Sequence, residues 1–535
     1  VVAVAPGRGT VLGLWDGHDA GVALAHEGRL LCALSEERVS RRKRAAGFPY
    51  RSLERALQWC GLDLRDVDLV TVPGRWGRLG HRLGDPLYRL GDGVRDPLSV
   101  SSTLVRRLEC GVARVPGLRA LESRSARAVL GARLRKLGCK APIVAVDHHT
   151  AHAWSARLCA APGAVIVTMD GYGDGLAGTI EFPGGERRLL YAPRDSVALV
   201  YGAVTRVLGF QEGDEGKVMG LAASGSPDEA LRAFFAGILR PGACDPRLGG
   251  RLGRESLLRF RRADVAAALQ ERSEEVVCEL LAECIDSGQP LALAGGLFAN
   301  VSINGRLARR GRRVDVFPHM GDGGLCVGAV AAVLGGMDWG MPFLGPEYDS
   351  QHIEGVLEAA GLHYQREEDP EGLLLEAILA GKLVARCVGR SEFGPRALGH
   401  RSILLRADRP ELSDLLGLRL QRDEFMPFAP LRRWGEGSRT MTVTVDADQE
   451  LRERCKAAVH VDGTVRTQIA DEQADPGLWS LLERAEEAGL PALINTSFNL
   501  HGEPIVESPE DAVRSFLAAD LDLLQLGPFI ARRWS

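Results

Sequence analysis

Cysteine pairs spaced for metal or disulfide use are missing: eleven cysteines lie scattered and none falls in a CxxC. An odd, dispersed set argues for a reducing compartment and against a disulfide framework. Long apolar runs are missing as well. None reaches the roughly 18 residues that a membrane span needs, so no membrane partner is expected. The opening VVAVAPGRGTVLGLW lacks the charged and apolar segments of a signal peptide. These absences make a soluble cytoplasmic protein the expectation. Charge of one sign is also lacking. The net charge of −4 gives no global pull toward nucleic acid, which is therefore not an expected partner. Lysine is scarce: Lys43, Lys136, Lys140, Lys217, Lys382 and Lys456 are all there are, so a lysine inside a motif is conspicuous. Aromatics are few at 6%, yet the 45% hydrophobic and 25% charged content is that of an ordinary globular protein, and 535 residues suffice for two to four domains.

What is present is organised around Ile143–Gly175. A short strand, Ile143–Val146, runs into DHHTAHAWSARL, which reads as a helix. His148 and His152, four apart, share one face of it and form a ready pair of ligands for a first-row metal. A second strand, Val165–Met169, ends in Asp170 and a glycine-rich turn, placing a carboxylate at a sheet edge where open α/β sheets build their sites. The stretch Val11–Leu31 (strand, DGHD, strand, Gly turn, strand) has the same grammar as Ile166–Leu190 (strand, DGYGDG, strand, Gly turn, strand). This internal repeat implies a duplicated domain with a site between the copies. The actin and sugar-kinase superfamily is built that way; here that is fold analogy.

Around this repeat, SEERVSRRKRAAGFP (Ser35–Pro49) reads either as a solvated loop or as a phosphate-facing one. Arg75–Arg135 is the least legible part. In QEGDEGKVMGLAASG, Lys217 lies between glycines of an expected turn, close enough for an anion. Two strand–glycine–helix units follow, one with Gly295-Gly296, the other with Asp322 in a glycine-rich turn; both suit phosphate at a helix amino terminus. A Gly/Pro-rich boundary falls within 335–350, predicting domains 1–345 and 351–535. Beyond it Asp369-Pro370, Asp475-Pro476 and Ser508-Pro509 open helices, and strand ALI leads to Asn495.

The motifs DGHDA, SEERVSRRK, DHHTAHAWSA, MDGYGDG, EGKVMGLA, GGLFANVSING, GDGGLCVGA, EFGPRALGHRSIL, MPFAP, DGTVRTQ and NTSFNLHGEPIVESPEDA resemble, nearly end to end, the O-carbamoyltransferase family of natural-product biosynthesis. The resemblance implies an α/β fold. Its amino-terminal domain is a duplicated actin-like (ASKHA, RNase-H-like) domain, similar to the transferase of threonylcarbamoyl-adenosine in tRNA. A YrdC-like α/β domain follows. It also implies a two-step reaction. Carbamoyl phosphate and ATP, with Mg as a candidate companion, give carbamoyl-adenylate and pyrophosphate in the second domain. The carbamoyl group is then transferred to an acceptor hydroxyl of a small molecule in the first. A homodimer is compatible with this reading.

Residue by residue, the resemblance assigns His148, His152, Asp170 and Asp322 to a metal, with Fe(II) or another divalent first-row ion expected. His18 matches a general base and Lys43 a phosphate-side lysine. Gly171, Lys217, Gly295, Gly296, Asn300, Asn304, Gly321 and Gly323 fall to the nucleotide. Arg396, Arg422, Arg466, Asn495 and Ser497 fall to carbamoyl phosphate. One departure stands out. The family usually has Lys and Arg where this chain has Leu420 and Met426, so two cations expected to face a phosphate are gone; Arg406 and Arg419 are the nearby substitutes. Three readings stay open: an O-carbamoyltransferase, a relative using another acyl donor or a supplied adenylate, and a non-catalytic ATP-binding regulator.

Overall fold

The computed structural model describes residues 9–75, 115–249, 252–286, 288–421 and 428–533. Arg422 and Met426, and residues 76–114 of the least legible stretch, lie outside these. The chain divides into two compact units: Val1–Ala33 with Ala46–Trp339, and Leu34–Ala45 with Gly340–Ser535.

The first unit holds two five-stranded sheets. In the first, β1 (Thr10–Trp15), β2 (Gly21–His26), β3 (Arg29–Ser35), β4 (Leu69–Pro73) and β5 (Ile143–Val146) lie in the order β3-β2-β1-β4-β5. In the second, β6 (Val165–Gly173), β7 (Leu176–Glu181), β8 (Arg187–Tyr191), β9 (Leu291–Ala294) and β10 (Val314–Val316) lie in the order β8-β7-β6-β9-β10. The senses match as well. β1 runs antiparallel to β2 and parallel to β4; β6 runs antiparallel to β7 and parallel to β9. The repeat read in the sequence is thus a repeat of topology. All six residues of β1 and all four of β9 are buried, which explains their unbroken apolar runs: strands covered on both faces do not alternate.

Helix His148–Arg157 follows β5, and helix Leu325–Leu334 follows β10 after a short turn at Asp322–Gly324. These two helices touch backbone to backbone. A Cβ at Gly328 would lie 1.9 Å from the Ala151 carbonyl oxygen, so only glycine permits the approach.

The second unit is built on an eight-stranded mixed sheet. Its strands are β11 (His363–Arg366), β12 (Val384–Cys387), β13 (Arg401–Arg406), β14 (Ala429–Arg432), β17 (Gln468–Ile469), β18 (Leu493–Ser497), β19 (Leu523–Leu526) and β20 (Phe529–Arg532). The order is β11-β20-β19-β12-β13-β18-β14-β17; β15 (Val445–Asp446) and β16 (Thr464–Val465) form a separate pair. Along β13 the period of two assigns the two cores: Ile403 and Leu405 pack with Phe498 and Phe516, while Leu404 packs with Leu431 and Leu481. Asp369, Asp475 and Ser508 cap their helices through side chains as the sequence predicts, Ser508 in a capping box with Asp511.

Three readings are corrected. Lys217 does not sit in a turn. It lies in the first turn of helix Glu215–Ala222, 3.5 Å from Asp214, because the acidic Asp214-Glu215 pair suits a helix amino terminus better than a glycine loop. The basic stretch behind the first hairpin belongs largely to the second unit. Arg38, 3% exposed, donates to the Gly394 carbonyl (2.8 Å). Arg41 donates to the carbonyls of Ile505 and Pro504 (both 2.7 Å) and pairs with Asp511 (3.3 Å), so these two cations are structural rather than phosphate-facing. Lys43, in the same stretch, is exposed. Finally, Leu420 is fully buried among Leu416, Phe498 and Leu451. A position in the core does not face a phosphate.

Candidate metal centre and donor site

The metal candidates come from both copies of the repeat. The first helical turn after β5 supplies His148 and the second supplies His152; both are buried. Asp170 lies inside β6 rather than at its end. The β6–β7 register breaks between Met169 and Gly173, and Asp170 sits in that irregularity, where bulges commonly re-aim a side chain. Ser196 Oγ donates to the carbonyls of Asp170 (3.0 Å) and Gly171 (2.8 Å), fixing the distorted backbone. Asp322 arrives from the turn after β10.

One donor atom from each of His148, His152, Asp170 and Asp322 lies within 4.8 Å of the other three. His148 Nε2 is 3.3 Å from Asp170 Oδ2 and 3.5 Å from Asp322 Oδ1; His152 Nε2 is 3.4 Å from each. Bonds of about 2.1 Å to one ion place ligand atoms roughly 3.0–3.4 Å apart, so the spacing fits a first-row metal. The hydrogen-bond census points the same way. Both ring nitrogens of His152 and Oδ1 of Asp322 are buried with no hydrogen-bond partner among the described residues. Buried polar atoms left without partners are costly unless something else binds them. The residues present therefore fit the ion that the sequence implies.

Without an ion, the four groups form a tight charge cluster. Burial disfavours a charged His152, but Asp170 and Asp322 outweigh it and lift the imidazole to about 9. Burial and the charge of Asp322 would raise Asp170, yet His148 and His152 hold it at about 2. Asp322 is held well below the ordinary carboxylate range against its own burial, by His18, His148 and His152. Asp322 is a bridge: Oδ1 faces the two histidines while Oδ2 lies 3.1 Å from His18 Nε2. His18 Nδ1 lies 3.0 Å from Asp19, and Asp322 above all pushes the imidazole well above its ordinary value. With a side chain 67% exposed, solvent weakens that pull. His149, read past in the sequence, is buried between Thr168 Oγ1 (3.0 Å) and the Leu176 carbonyl (3.2 Å), and burial keeps it neutral.

The expected nucleotide residues gather around this cluster in part. Gly171 follows Asp170, and Gly321 and Gly323 flank Asp322. Gly295 and Gly296 follow β9, close to the Asp170 carboxylate; a Cβ at Gly296 would lie 2.9 Å from Asp170 Oδ1. Asn300 is engaged as the cap of helix Val301–Ala308 and bonds Gln270, and Asn304 donates to the Phe298 carbonyl. Both carry local structure.

In the second unit, one network ties Asn495 to residues that neighbour Arg396 and Arg466 in the sequence. Asn495 Nδ2 donates to the carbonyl of Ala397, next to Arg396, and to Gln468 Oε1, two residues past Arg466. Gln468 Nε2 donates to the Leu398 carbonyl. Ser497 ends the same strand as Asn495. The sequence reading missed Glu392, whose Oε1 accepts the backbone N–H groups of Leu398 (2.7 Å), His400 (3.0 Å) and Arg401 (3.1 Å), closing the loop that carries Arg396. Neither substitute cation is available: Arg406 is forked onto Asp408, and Arg419 is committed to Asp520 and Asp522.

The fold and site thus define an α/β protein with a duplicated first unit and a histidine–carboxylate cluster suited to a metal. Two family models cover most of its length. Carbamoyltransferase N-terminus matches 10–245 and 247–331, and Carbamoyltransferase C-terminus matches 375–533. The chain belongs to the carbamoyltransferase family of enzymes. It is 30% identical to the nodulation protein NolNO of Sinorhizobium fredii over 96% of this chain and 79% of that one. It is 29% identical to the 3'-hydroxymethylcephem-O-carbamoyltransferase of Streptomyces clavuligerus over 56% of this chain and 61% of that one. Among solved structures, component A of the (R)-2-hydroxyglutaryl-CoA dehydratase of Acidaminococcus fermentans aligns with 61% of this chain at 12% identity and a TM-score of 0.36. Among the described residues no helix is long and apolar enough to cross a membrane.

Proposed function

We propose that this enzyme is an ATP-dependent O-carbamoyltransferase acting on a hydroxyl of a small natural-product acceptor. The observation that carries the reading is the convergence of His148, His152, Asp170 and Asp322 on one point, with His18 held by the far oxygen of Asp322. In the second unit, water takes the phosphoryl group of carbamoyl phosphate; the bridging O–P bond breaks, inorganic phosphate leaves, and its electron pair stays on a carbamate oxygen. That oxygen attacks the α-phosphorus of ATP and pyrophosphate leaves. In the first unit, the acceptor oxygen attacks the carbonyl carbon of carbamoyl-adenylate and AMP departs with the bonding electron pair. A divalent first-row metal bound at the cluster, Fe(II) in our reading, supplies Lewis acidity and a hold on phosphate.

The protein's own groups do the rest. His18, exposed beside Asp19 and Asp322, carries the acceptor's proton. Arg396 and Arg466 fork onto the donor phosphate, and the Asn495 carboxamide reads the carbamoyl group. Asn495 Oδ1 is buried with no hydrogen-bond partner among the described residues, as an acceptor awaiting an N–H donor has to be. Incubation with ATP, carbamoyl phosphate and hydroxylated acceptors, read by mass spectrometry, tests the proposal. AMP, pyrophosphate and an acceptor heavier by one carbamoyl group are expected; no AMP with any donor refutes it. A second reading, another acyl donor, draws on the commitment of Arg406 and Arg419 to carboxylates elsewhere. AMP formation only with a different donor selects it.

A further inference from the structure

The helix that carries both histidine ligands has an unusual start. Asp147 occupies its N-cap position, but the Asp147 side chain makes no capping bond. It lies instead 3.5 Å from Arg75 and 3.8 Å from Arg119. The orphaned amide at the helix start is satisfied from elsewhere: His148 N–H donates to Asp174 Oδ2 at 2.8 Å. Asp174 lies 26 positions later, in the turn between β6 and β7 of the other sheet. Its second oxygen accepts the backbone N–H of Arg75 at 2.7 Å, just past β4. The residue is 8% exposed and sits in the left-handed region, φ +52°, a conformation that aspartate tolerates better than most side chains.

The neighbouring residue adds a second constraint. A Cβ at Gly173 would lie 2.2 Å from the His148 ring, so the imidazole rests directly on that peptide. The Gly173-Asp174 pair therefore fixes His148 at two points, ring and amide. The same strand carries Asp170, another ligand, four residues upstream. An N-cap acceptor fixes the first turn of a helix, and a carboxylate there also favours the positive end of the helix dipole.

We infer that Asp174 is a positioning residue for the metal centre: by capping the ligand helix from the opposite copy of the repeat, it holds His148 and Asp170 in register. The inference rests on the metal reading above. A ligand amide and ring held by one turn act as an outer support of the kind whose loss weakens metal binding 10- to 100-fold.

The test uses the full chain, Co(II) as probe, chelator competition for affinity and the visible Co(II) spectrum for geometry. Asp174→Ala is expected to weaken Co(II) binding 10- to 100-fold and to alter the spectrum. Asp174→Asn, which keeps one acceptor oxygen and the left-handed turn, is expected to recover part of both. Hydrogen exchange in the peptide spanning 147–157 is expected to accelerate in the alanine variant. Native affinity and spectrum in Asp174→Ala overturn the inference; so does a native result for Asp174→Asn should the alanine variant fail to fold. A wild-type protein that takes up no Co(II) overturns the metal reading itself, which is a different and recognisable failure.

Discussion

Leu420→Lys puts the family's usual residue back at a position that the structure places in a core. Leu420 is 0% exposed and packs with Leu416, Leu451 and Phe498. A lysine there has either to carry a buried charge or to lose its proton. Its ordinary pKa of about 10.4 lies roughly 3.4 units above pH 7, and each unit corresponds to about 1.36 kcal/mol, so neutralisation costs about 4.6 kcal/mol. Leu420→Met, similar in volume and shape tolerance, should cost under about 1.5 kcal/mol. The sign of the pH dependence follows. Burial lowers the folded-state pKa of the lysine, so the penalty is largest at low pH and shrinks as pH rises toward the unfolded value. Between pH 7 and pH 9 about 2.7 kcal/mol should return. Urea unfolding of the native protein and both variants at the two pH values measures this. A lysine variant as stable as the native protein at pH 7, with tighter binding of carbamoyl phosphate, refutes the burial argument and restores Leu420 to the donor site.

Elemental analysis after anaerobic purification should find about one divalent first-row metal per chain, lost in His148→Ala and in Asp322→Ala. Asn495→Ala should raise KM for carbamoyl phosphate about tenfold or more, the scale of one buried hydrogen bond, with KM for the acceptor unchanged. Asp475→Ala should destabilise the second unit by about 3–5 kcal/mol in urea unfolding, because it leaves Arg386, 3% exposed in its side chain, without its main counter-ion at 2.5 Å. Burial would raise Asp475, but Arg386 and His400 hold it far below the ordinary value. Its contribution is therefore complete above about pH 4 and is lost as pH falls further; acid unfolding of the native protein, but not of the variant, should carry that component.

Local chemistry was legible in the sequence, and distant partnership was not. β5 was read to the residue because an apolar run of four ended at an acidic helix start. His148, His152 and Asp170 were found because histidine spacing and an Asp-Gly turn are local signals. Asp174 was on view in MDGYGDG, but nothing in that string says that its carboxylate caps a helix 26 positions earlier. Leu420 is the instructive miss. Leu412, Leu416 and Leu420 recur at four-residue intervals along helix Pro410–Arg419 and its end, a core stripe open to view. The family pattern suggests a phosphate-facing cation at this position, whereas the helical period places it in the core.

The twelve residues Leu34–Ala45 have a consequence for how the protein is made. Arg38 is synthesised 468 positions ahead of its acceptor at Val506. At roughly 5–20 residues per second, the segment waits about 25–90 s outside the ribosome before its partners exist. By then the whole of Ala46–Trp339 has been made. Completion of the second unit thus waits until Val506 has been made, long after Leu34–Ala45. Cutting the gene at the Trp339–Gly340 crossing does not yield two complete proteins. The carboxyl-terminal product lacks the helix Glu36–Ser40 and the two arginines that tie down Gly394 and the segment Pro504–Val506. Supplying that missing piece as a separate peptide is what a working split version of this enzyme requires.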